Sequence, residues 1–341
     1  MKKVRWGVIG ATGIADRRTI PEGIMPAANA ELVAVMSPTR ERVEKVAARY
    51  GGVPWFTDAR EMLAAVPMDA CYLGSPPAGH LEQTEACAAA GVHVFCEKPL
   101  ARNVAEAEAM LAACAQRGVK LGTAFMIPFH HLAQEAMRLV RDGTLGQIVS
   151  ARVQFGFDSP PVPGAFRQVG SEGGGGAFMD VGNHATDLLE RIVGSKVASV
   201  LAVSDSIVYQ YEGVEDACAA LYRLDNGAIG MADAYFCTGG ARNAVEINGS
   251  EKTLMVQGMM GQGTGGALML HSHIGAQDAE VTIESDGRNM YVGEITAFSQ
   301  AILDDTDPPI SGEDGLWSQR VVAAVYGSAQ TGRRVDLPGS A

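Results

Sequence analysis

The chain has no surplus of basic charge: 27 Lys and Arg stand against 39 Asp and Glu, a net charge of −12. A nucleic-acid partner needs a basic face, so that class is excluded, though a local basic pocket for a phosphate is not. The six cysteines form no Cys-x-x-Cys pair and lie mostly in apolar runs. They read as reduced, buried thiols of a cytoplasmic protein. No uninterrupted apolar run is long enough to span a membrane, which excludes a transmembrane helix. A strand begins almost at the N-terminus and leaves no room for a signal peptide. Charged residues are only 19 % of the chain while apolar residues make up 47 %, the balance of a globular enzyme rather than a disordered chain. At 341 residues the chain exceeds one typical core, so two domains are expected.

The first half alternates strand and helix. A strand over residues 4–9 runs directly into Gly10-Ala11-Thr12-Gly13-Ile14-Ala15. The glycines let the backbone turn tightly and approach a pyrophosphate, and the following helix offers unpaired N–H groups and the positive end of its dipole. The strict Gly-x-Gly-x-x-Gly register is broken by Thr12 and Ala15. Ala15 is a small residue suited to helix–strand packing, and the Thr12 hydroxyl can itself bond a phosphate. A second strand over 31–36 ends at Ser37, with Thr39, Arg40 and Arg42 close behind. An NAD site usually carries Asp or Glu at that strand end. A hydroxyl and guanidinium groups bind a 2′-phosphate instead, so NADP is expected over NAD; the other reading makes the arginines surface charges on a helix over 39–50.

Short strands follow near Trp55 and Phe56 and over 70–73, the latter ending in Gly74-Ser75-Pro76-Pro77-Ala78-Gly79-His80. An alanine-rich helix then leads to a fifth strand over 92–96, which stops at Glu97-Lys98-Pro99 because proline has no N–H for the sheet. A helix capped by Asn103 and a sixth strand over 120–125 complete the pattern. Six strands alternating with helices argue a parallel, Rossmann-type α/β domain over 1–125. Three strand ends then face one crevice: Gly10 to Gly13, the stretch with Ser75, Pro76 and His80, and Glu97 with Lys98. Ligands bind at such carboxyl edges.

The remainder, 126–341, reads as an α+β domain for substrate binding and oligomerisation. A helix over 128–141 carries His130 and His131, which as neighbours cannot share a face, so a paired metal site is not expected. After a strand over 148–157, an irregular segment over 158–176 holds Phe166, Arg167 and the run Gly173 to Gly176. A structureless stretch of that length is usually functional or disordered. Behind it Asp180, His184 and Asp187 stand at i, i+4 and i+7, one face of a helix. An imidazole between two carboxylates suits a general acid or base. From Lys196 onward hairpin signals dominate: Asp225-Asn226-Gly227, Asn248-Gly249, and a pairing of 268–271 with 280–283. These imply an open, mainly antiparallel sheet, with His271 and His273 at exposed positions. One face packs on helices; the other, if apolar, is a subunit interface of a homodimer or homotetramer. Helices over 292–303 and 312–331 end the chain.

Glu97-Lys98-Pro99 after the fifth strand, and Asp180…His184…Asp187 behind a glycine run, together resemble the glucose–fructose oxidoreductase and inositol dehydrogenase (Gfo/Idh/MocA) family over nearly the whole chain. Within it, Trp6-Gly7-Val8-Ile9-Gly10, Ser37 with Arg42, and Glu212-Gly213-Val214-Glu215-Asp216 are similar to the anhydrofructose reductase branch. The resemblance implies that Lys98 and His184 are the catalytic pair, that Asp180 lies beside the substrate, and that Phe166 and Arg167 line the sugar pocket. It further implies that Tyr291, from the second domain, touches the nicotinamide end. Phe166 replaces the usual Trp, Pro128 a frequent Arg, and Ala124 the branch's Asn. The implied substrate is therefore a polyol, sugar or ketose, not necessarily anhydrofructose. The expected activity is reversible hydride transfer between NADP, or NAD, and a secondary carbinol of a carbohydrate. A glycosidase that uses bound NAD, and a non-enzymatic nucleotide sensor, are the two other uses of such a fold.

Overall fold

A computed structural model describes residues 2–274 and 277–338. The chain forms two compact units, Met1–Met126 with Tyr291–Gln319 and Ile127–Met290 with Arg320–Ala341.

In the first unit six strands form one parallel sheet: β1 (Val4–Ile9), β2 (Ala30–Met36), β3 (Trp55–Phe56), β4 (Ala70–Leu73), β5 (His93–Glu97) and β6 (Leu121–Ala124). Their spatial order is β3-β2-β1-β4-β5-β6, so the winding direction reverses between β1 and β4. The carboxyl ends at such a reversal splay apart into a crevice. Buried apolar residues line both faces of the sheet, as parallel strands covered by helices require. One face gathers Trp6, Tyr72 and Phe95 with Ile20 and Ile24; the other gathers Leu73, Val94 and Cys96 with Met62, Cys87 and Met110. The helix Ala15–Ile24 is wound wide, with the Met25 N–H donating to the Ile20 carbonyl at 3.0 Å. Pro21 inside it lacks an N–H and collides with a regular turn, and a π-type turn accommodates it.

The helix Met290–Leu303 belongs to this unit, which corrects the linear plan of 1–125 and 126–341. Its Phe298 ring stacks 4.8 Å from Phe95 and 5.7 Å from Trp6, and the Trp6 indole N–H donates to the Ser299 hydroxyl at 3.1 Å. An aromatic sheet face needs a cover, and this late helix supplies part of it.

The second unit is built on a nine-stranded sheet of order β14-β13-β12-β11-β7-β10-β9-β8-β15. Its strands are β7 (Ile148–Gly156), β8 (Val197–Asp205), β9 (Ala217–Leu224), β10 (Ile229–Tyr235), β11 (Val245–Gly249), β12 (Lys252–Gln257), β13 (Ala267–Ile274), β14 (Gln277–Glu284) and β15 (Val335–Asp336). Only β7 and β10 pair in parallel; the hairpins expected from the turn signals are present. The helix Asn183–Val193 is buried almost all round. On the opposite side of the strands Leu201 faces Leu221 and Leu221 faces Met231 in register, and all three are exposed. His271 pairs across β13 and β14 with Glu280 at 3.2 Å, while the side chain of His273 lies outside the described residues. All six cysteines are free. Among the described residues no helix is long and apolar enough to cross a membrane.

A tight point of the first unit is Gly10, with φ +77°, where a Cβ would lie 2.3 Å from the Ser75 nitrogen. Gly10→Ala therefore strains the backbone and drives β1 and β4 apart. A loss of at least about 2 kcal/mol is expected in urea denaturation, with weaker dinucleotide binding.

Candidate active site

The turn after β1 is held to its neighbours by backbone alone. The Gly74 N–H donates to the Ile9 carbonyl at 2.8 Å and the Ala11 N–H to the Met36 carbonyl at 2.9 Å. Ala11 thus ties β1 to β2 with the amide expected to meet a phosphate. A Cβ on Gly13 would meet only the Gly74 carbonyl, at 3.9 Å, so the space over the turn is open. The amides of Thr12, Gly13 and Ile14 lead into the helix start, where N–H groups lack intrahelical acceptors. This bare, open turn fits a pyrophosphate. At the β2 end the Ser37 hydroxyl is buried and lies 3.1 Å from the Thr12 hydroxyl; either can donate. Arg40 stacks 5.2 Å over the Trp55 ring, and Arg42 is exposed in the first turn of the helix Arg40–Arg49.

Past β4 the Ser75 hydroxyl donates to Gln83 at 2.6 Å. His80, expected to contact the cofactor, is fully buried. Its two ring nitrogens face the Leu100 and Ser75 carbonyls at 3.0 and 2.9 Å. Burial holds its pKa below the ordinary value. The ring is a strut between two loops and offers no nitrogen to a ligand, which corrects that expectation. Pro76 precedes the turn Pro77–Gly79 that seats this ring.

At the end of β5 Glu97 accepts a hydrogen bond from the Tyr72 phenol, which accepts one from Thr19 at 2.9 Å. Tyr72 is fully buried, and burial followed by the Glu97 charge pushes its pKa far up, so it stays a donor. The carboxylate is thereby fastened to β4 next to Lys98, and the Lys98–Pro99 peptide is cis. Both Glu97 and Lys98 are half-buried. Tyr291 is buried in this same unit, not in the second as expected, and lies against Gly23.

In the second unit the glycine run is explained by crowding. A Cβ on Gly173 would lie 2.7 Å from the Phe166 carbonyl, on Gly175 2.3 Å from the Tyr326 hydroxyl, and on Gly176 2.0 Å from the Glu215 carbonyl. The buried Glu215 carboxylate accepts from the Gly176 and Phe178 amides at 3.1 and 2.7 Å and from the Tyr326 phenol at 3.0 Å. Asp216 accepts three more amides, from Ile207, Val208 and Tyr209, at 2.8, 2.8 and 2.7 Å. Two adjacent carboxylates thus organise two irregular segments. Sequence reasoning did not assign them these roles; their only signal was an acidic pair directly before an apolar strand.

The run delivers a wide turn, Phe178–Gly182, and then the helix Asn183–Val193. Asp180 is therefore not on a regular helix with His184, as the spacing suggested. The Arg167 Nε lies 2.9 Å from Asp180, with its guanidinium 4.5 Å over the Phe166 ring. Phe166, Arg167 and Asp180 thus form one cluster. Asp187 takes the Arg191 Nε on both oxygens at 2.9 and 3.0 Å. Each carboxylate expected to bracket the imidazole thus also holds a guanidinium. His184 is buried, with its ring 6.0 Å from that of Phe155. A cavity of about 480 Å³ opens beside the glycine run, lined by Ser204, Asp205, Gln210, Tyr211 and Glu215 among others; none of Arg167, Asp180 and His184 lines it. Among the described residues no group of three or more His, Cys, Asp or Glu is arranged to hold a metal ion.

A six-stranded parallel sheet, a glycine turn at its reversal point and a lysine at its carboxyl edge define a dinucleotide-binding oxidoreductase domain. Comparison with known proteins agrees. Residues 4–125 match the model of an oxidoreductase family with an NAD-binding Rossmann fold, and residues 133–255 match the GFO/IDH/MocA C-terminal domain. The chain is 34 % identical to a 1,5-anhydro-D-fructose reductase of Ensifer adhaerens over 98 % of both chains. It is 28 % identical to a D-xylose 1-dehydrogenase (NADP(+)) of Haloferax volcanii, over 97 % of this chain and 99 % of that one. Its fold superposes with a TM-score of 0.90 on an aldose-aldose oxidoreductase from Caulobacter crescentus complexed with glycerol, at 26 % identity, covering 98 % and 100 % of the two chains. The chain belongs to the GFO/IDH/MocA oxidoreductase family.

Glu215→Ala leaves two buried amides and the Tyr326 phenol without their acceptor. A loss of about 3 kcal/mol or more is expected in urea denaturation, and Glu215→Gln, which keeps one acceptor oxygen, loses less.

Proposed function

We propose that the protein is an NADP-preferring oxidoreductase that transfers hydride between the nicotinamide and a secondary alcohol or ketone of a sugar, polyol or related carbohydrate. The observation that carries this reading is the end of β5, where Lys98 follows a carboxylate fastened by Tyr72 at the ligand edge of a parallel sheet. The names of two similar relatives, a sugar reductase and a sugar dehydrogenase, support the substrate class.

When bound, the nicotinamide gives or accepts the hydride; the rest of the chemistry falls to the chain. The turn Gly10 to Ile14, with Ala11 as its tie, holds the pyrophosphate through backbone N–H groups. Ser37 and Thr12 offer two hydroxyls to the 2′-phosphate, and Arg42 adds charge. A carboxylate at that place repels a phosphate, and none stands there. Ser75, Pro76, Glu97 and Tyr291 complete the cofactor's surroundings. Lys98 hydrogen-bonds the reacting oxygen and His184 gives or takes its proton. Asp180, aligned by Arg167, accepts hydrogen bonds from the sugar hydroxyls, and Phe166 lends an apolar ring face. The exposed apolar stripe of Leu201, Val203, Leu221, Ile229 and Met231 supports a second copy of the chain as its cover, in a homodimer or homotetramer.

Lys98→Ala lowers kcat by at least about 10²-fold while NADP affinity stays within a few-fold, because the amine acts on the reacting oxygen. Steady-state kinetics with a panel of sugars and a fluorescence titration of NADPH check this, and an undiminished kcat removes Lys98 from the chemistry. Ser37→Asp places a carboxylate against the 2′-phosphate and lowers the NADP-to-NAD affinity ratio by at least about tenfold. An unchanged ratio in the same titration places the phosphate pocket elsewhere.

A further inference from the structure

Five consecutive N–H groups, Gly176 to Asp180, lead into and begin the wide turn Phe178–Gly182. N–H groups at the start of a helical element have no acceptor within it and must find one elsewhere. Two distant residues supply four of the five acceptors. The Glu215 carboxylate accepts from Gly176 at 3.1 Å and from Phe178 at 2.7 Å, and the Glu215 backbone carbonyl accepts from Ala177 at 3.2 Å. The Tyr326 phenol accepts from Met179 at 3.1 Å. The fifth N–H, that of Asp180, donates to the Gly176 carbonyl at 3.0 Å, so its place follows from that of Gly176. Tyr326 stands on the helix Gly312–Thr331, in the part that belongs to the second unit. Its hydroxyl also donates to a Glu215 carboxylate oxygen at 3.0 Å, which joins the two suppliers to each other. Burial, and then the Glu215 charge, push the phenol's pKa far up, so it keeps the proton that this bond needs. The glycine at 175 makes room for the hydroxyl: a Cβ there would lie 2.3 Å from it.

We propose that Tyr326 is a positioning residue for the sugar: by holding the Met179 amide and the Glu215 carboxylate it fixes the backbone that carries Asp180, and so the place of the carboxylate that accepts the sugar hydroxyls. The contacts are continuous. The phenol bonds the amide one residue before Asp180, and it bonds the carboxylate that holds the amides two and four residues before it. Arg167, 2.9 Å from Asp180, aligns the same carboxylate from its outer end. Tyr326→Phe keeps the ring and its packing, takes the phenol acceptor from the Met179 N–H, and leaves a buried carboxylate short of one donor. A misplacement of about 1 Å is enough to spoil a bound geometry. The placement of the sugar rests on the proposed reading of Asp180; the anchoring of the turn does not.

Two measurements on the full chain test it. The first needs no turnover: amide hydrogen exchange is followed by peptide mass in wild type and Tyr326→Phe. The peptide over 176–182 is expected to exchange at least about tenfold faster in the variant, while peptides from β9 and β10 keep their wild-type rates. Unchanged exchange over 176–182 overturns the proposal, and so does an equal acceleration in the strands, which marks a general loosening of the unit. Glu215→Gln, which takes one acceptor from the same amides and leaves the phenol in place, is expected to loosen the same peptide; it carries the test should Tyr326→Phe not fold. The second measurement is steady-state kinetics with D-xylose, D-glucose, D-fructose and myo-inositol, alongside a fluorescence titration of NADPH. Tyr326→Phe is expected to raise KM for the sugar at least about tenfold with NADPH affinity within a few-fold of wild type, because Asp180 is a sugar contact and the cofactor lies on the first unit. A phenol that merely keeps more of the protein folded gives the opposite split, since the molecules that remain folded bind sugar normally and only the apparent kcat falls. An unchanged KM therefore overturns the role in placing the sugar. A wild type that turns over none of the four counts against the proposed activity instead, and the exchange rates then decide the anchoring alone.

Discussion

The hydrogen bond from the Tyr72 phenol to Glu97 is the joint on which the first unit's chemistry turns. It links β4 to β5 at their carboxyl ends and fixes the carboxylate that immediately precedes Lys98. Thr19 extends the chain of donors into the first helix. The phenol is buried under the aromatic face of Phe95 and Phe298, so the bond lies in low dielectric and is strong. Burial likewise pushes the pKa of Glu294, whose carboxyl oxygens have no hydrogen-bond partner, well above the usual range.

The second unit solves a different problem. A segment with four consecutive glycines has no side chains to pack and little propensity to hold one shape. Its order comes from outside, through carboxylates that collect backbone N–H groups. Glu215 takes two and Asp216 three. Six donors including the Tyr326 phenol converge on adjacent residues; the three amides hold the Asp216 carboxyl below its usual pKa, whereas burial still raises that of Glu215 against its three donors. The run's close approaches to Phe166, Tyr326 and Glu215 then set where Asp180 and the helix of His184 begin. Arg167, stacked on Phe166 and paired with Asp180, joins the irregular segment to the helix start.

In both units the proposed functional side chains stand at the ends of regular elements, next to groups that are fully enclosed. Lys98 ends a strand whose last residue is held by a buried phenol. Asp180 sits in a wide turn whose Phe178 amide is held by the buried Glu215 carboxylate and whose Met179 amide is held by the Tyr326 phenol.

Much of the frame was legible in the residues. Strands alternating with helices to residue 125, the Asn-Gly and Asp-Asn-Gly turns, and the stop at Pro99 depend on local pattern and backbone geometry, and the sheets follow them. So was the glycine turn after β1, whereas Phe166, Arg167 and Asp180 were put together only by the resemblance to the family, and the structure shows the three in contact. Other features were not, because they depend on which distant segments meet. Nothing local says that the helix at 290–303 packs on the first sheet, that Ala11 uses its amide on Met36, or that His80 is locked between two carbonyls. The spacing of Asp180, His184 and Asp187 suggested a bracketed imidazole, but arginines from positions 167 and 191 also claim the carboxylates. The sequence by itself determined the elements and the chemical groups available at their ends, since periodicity and turn chemistry act over a few residues. Tertiary structure alone decided which of those groups are buried, paired or protonated, because dielectric and hydrogen-bond partners are supplied by residues far away along the chain.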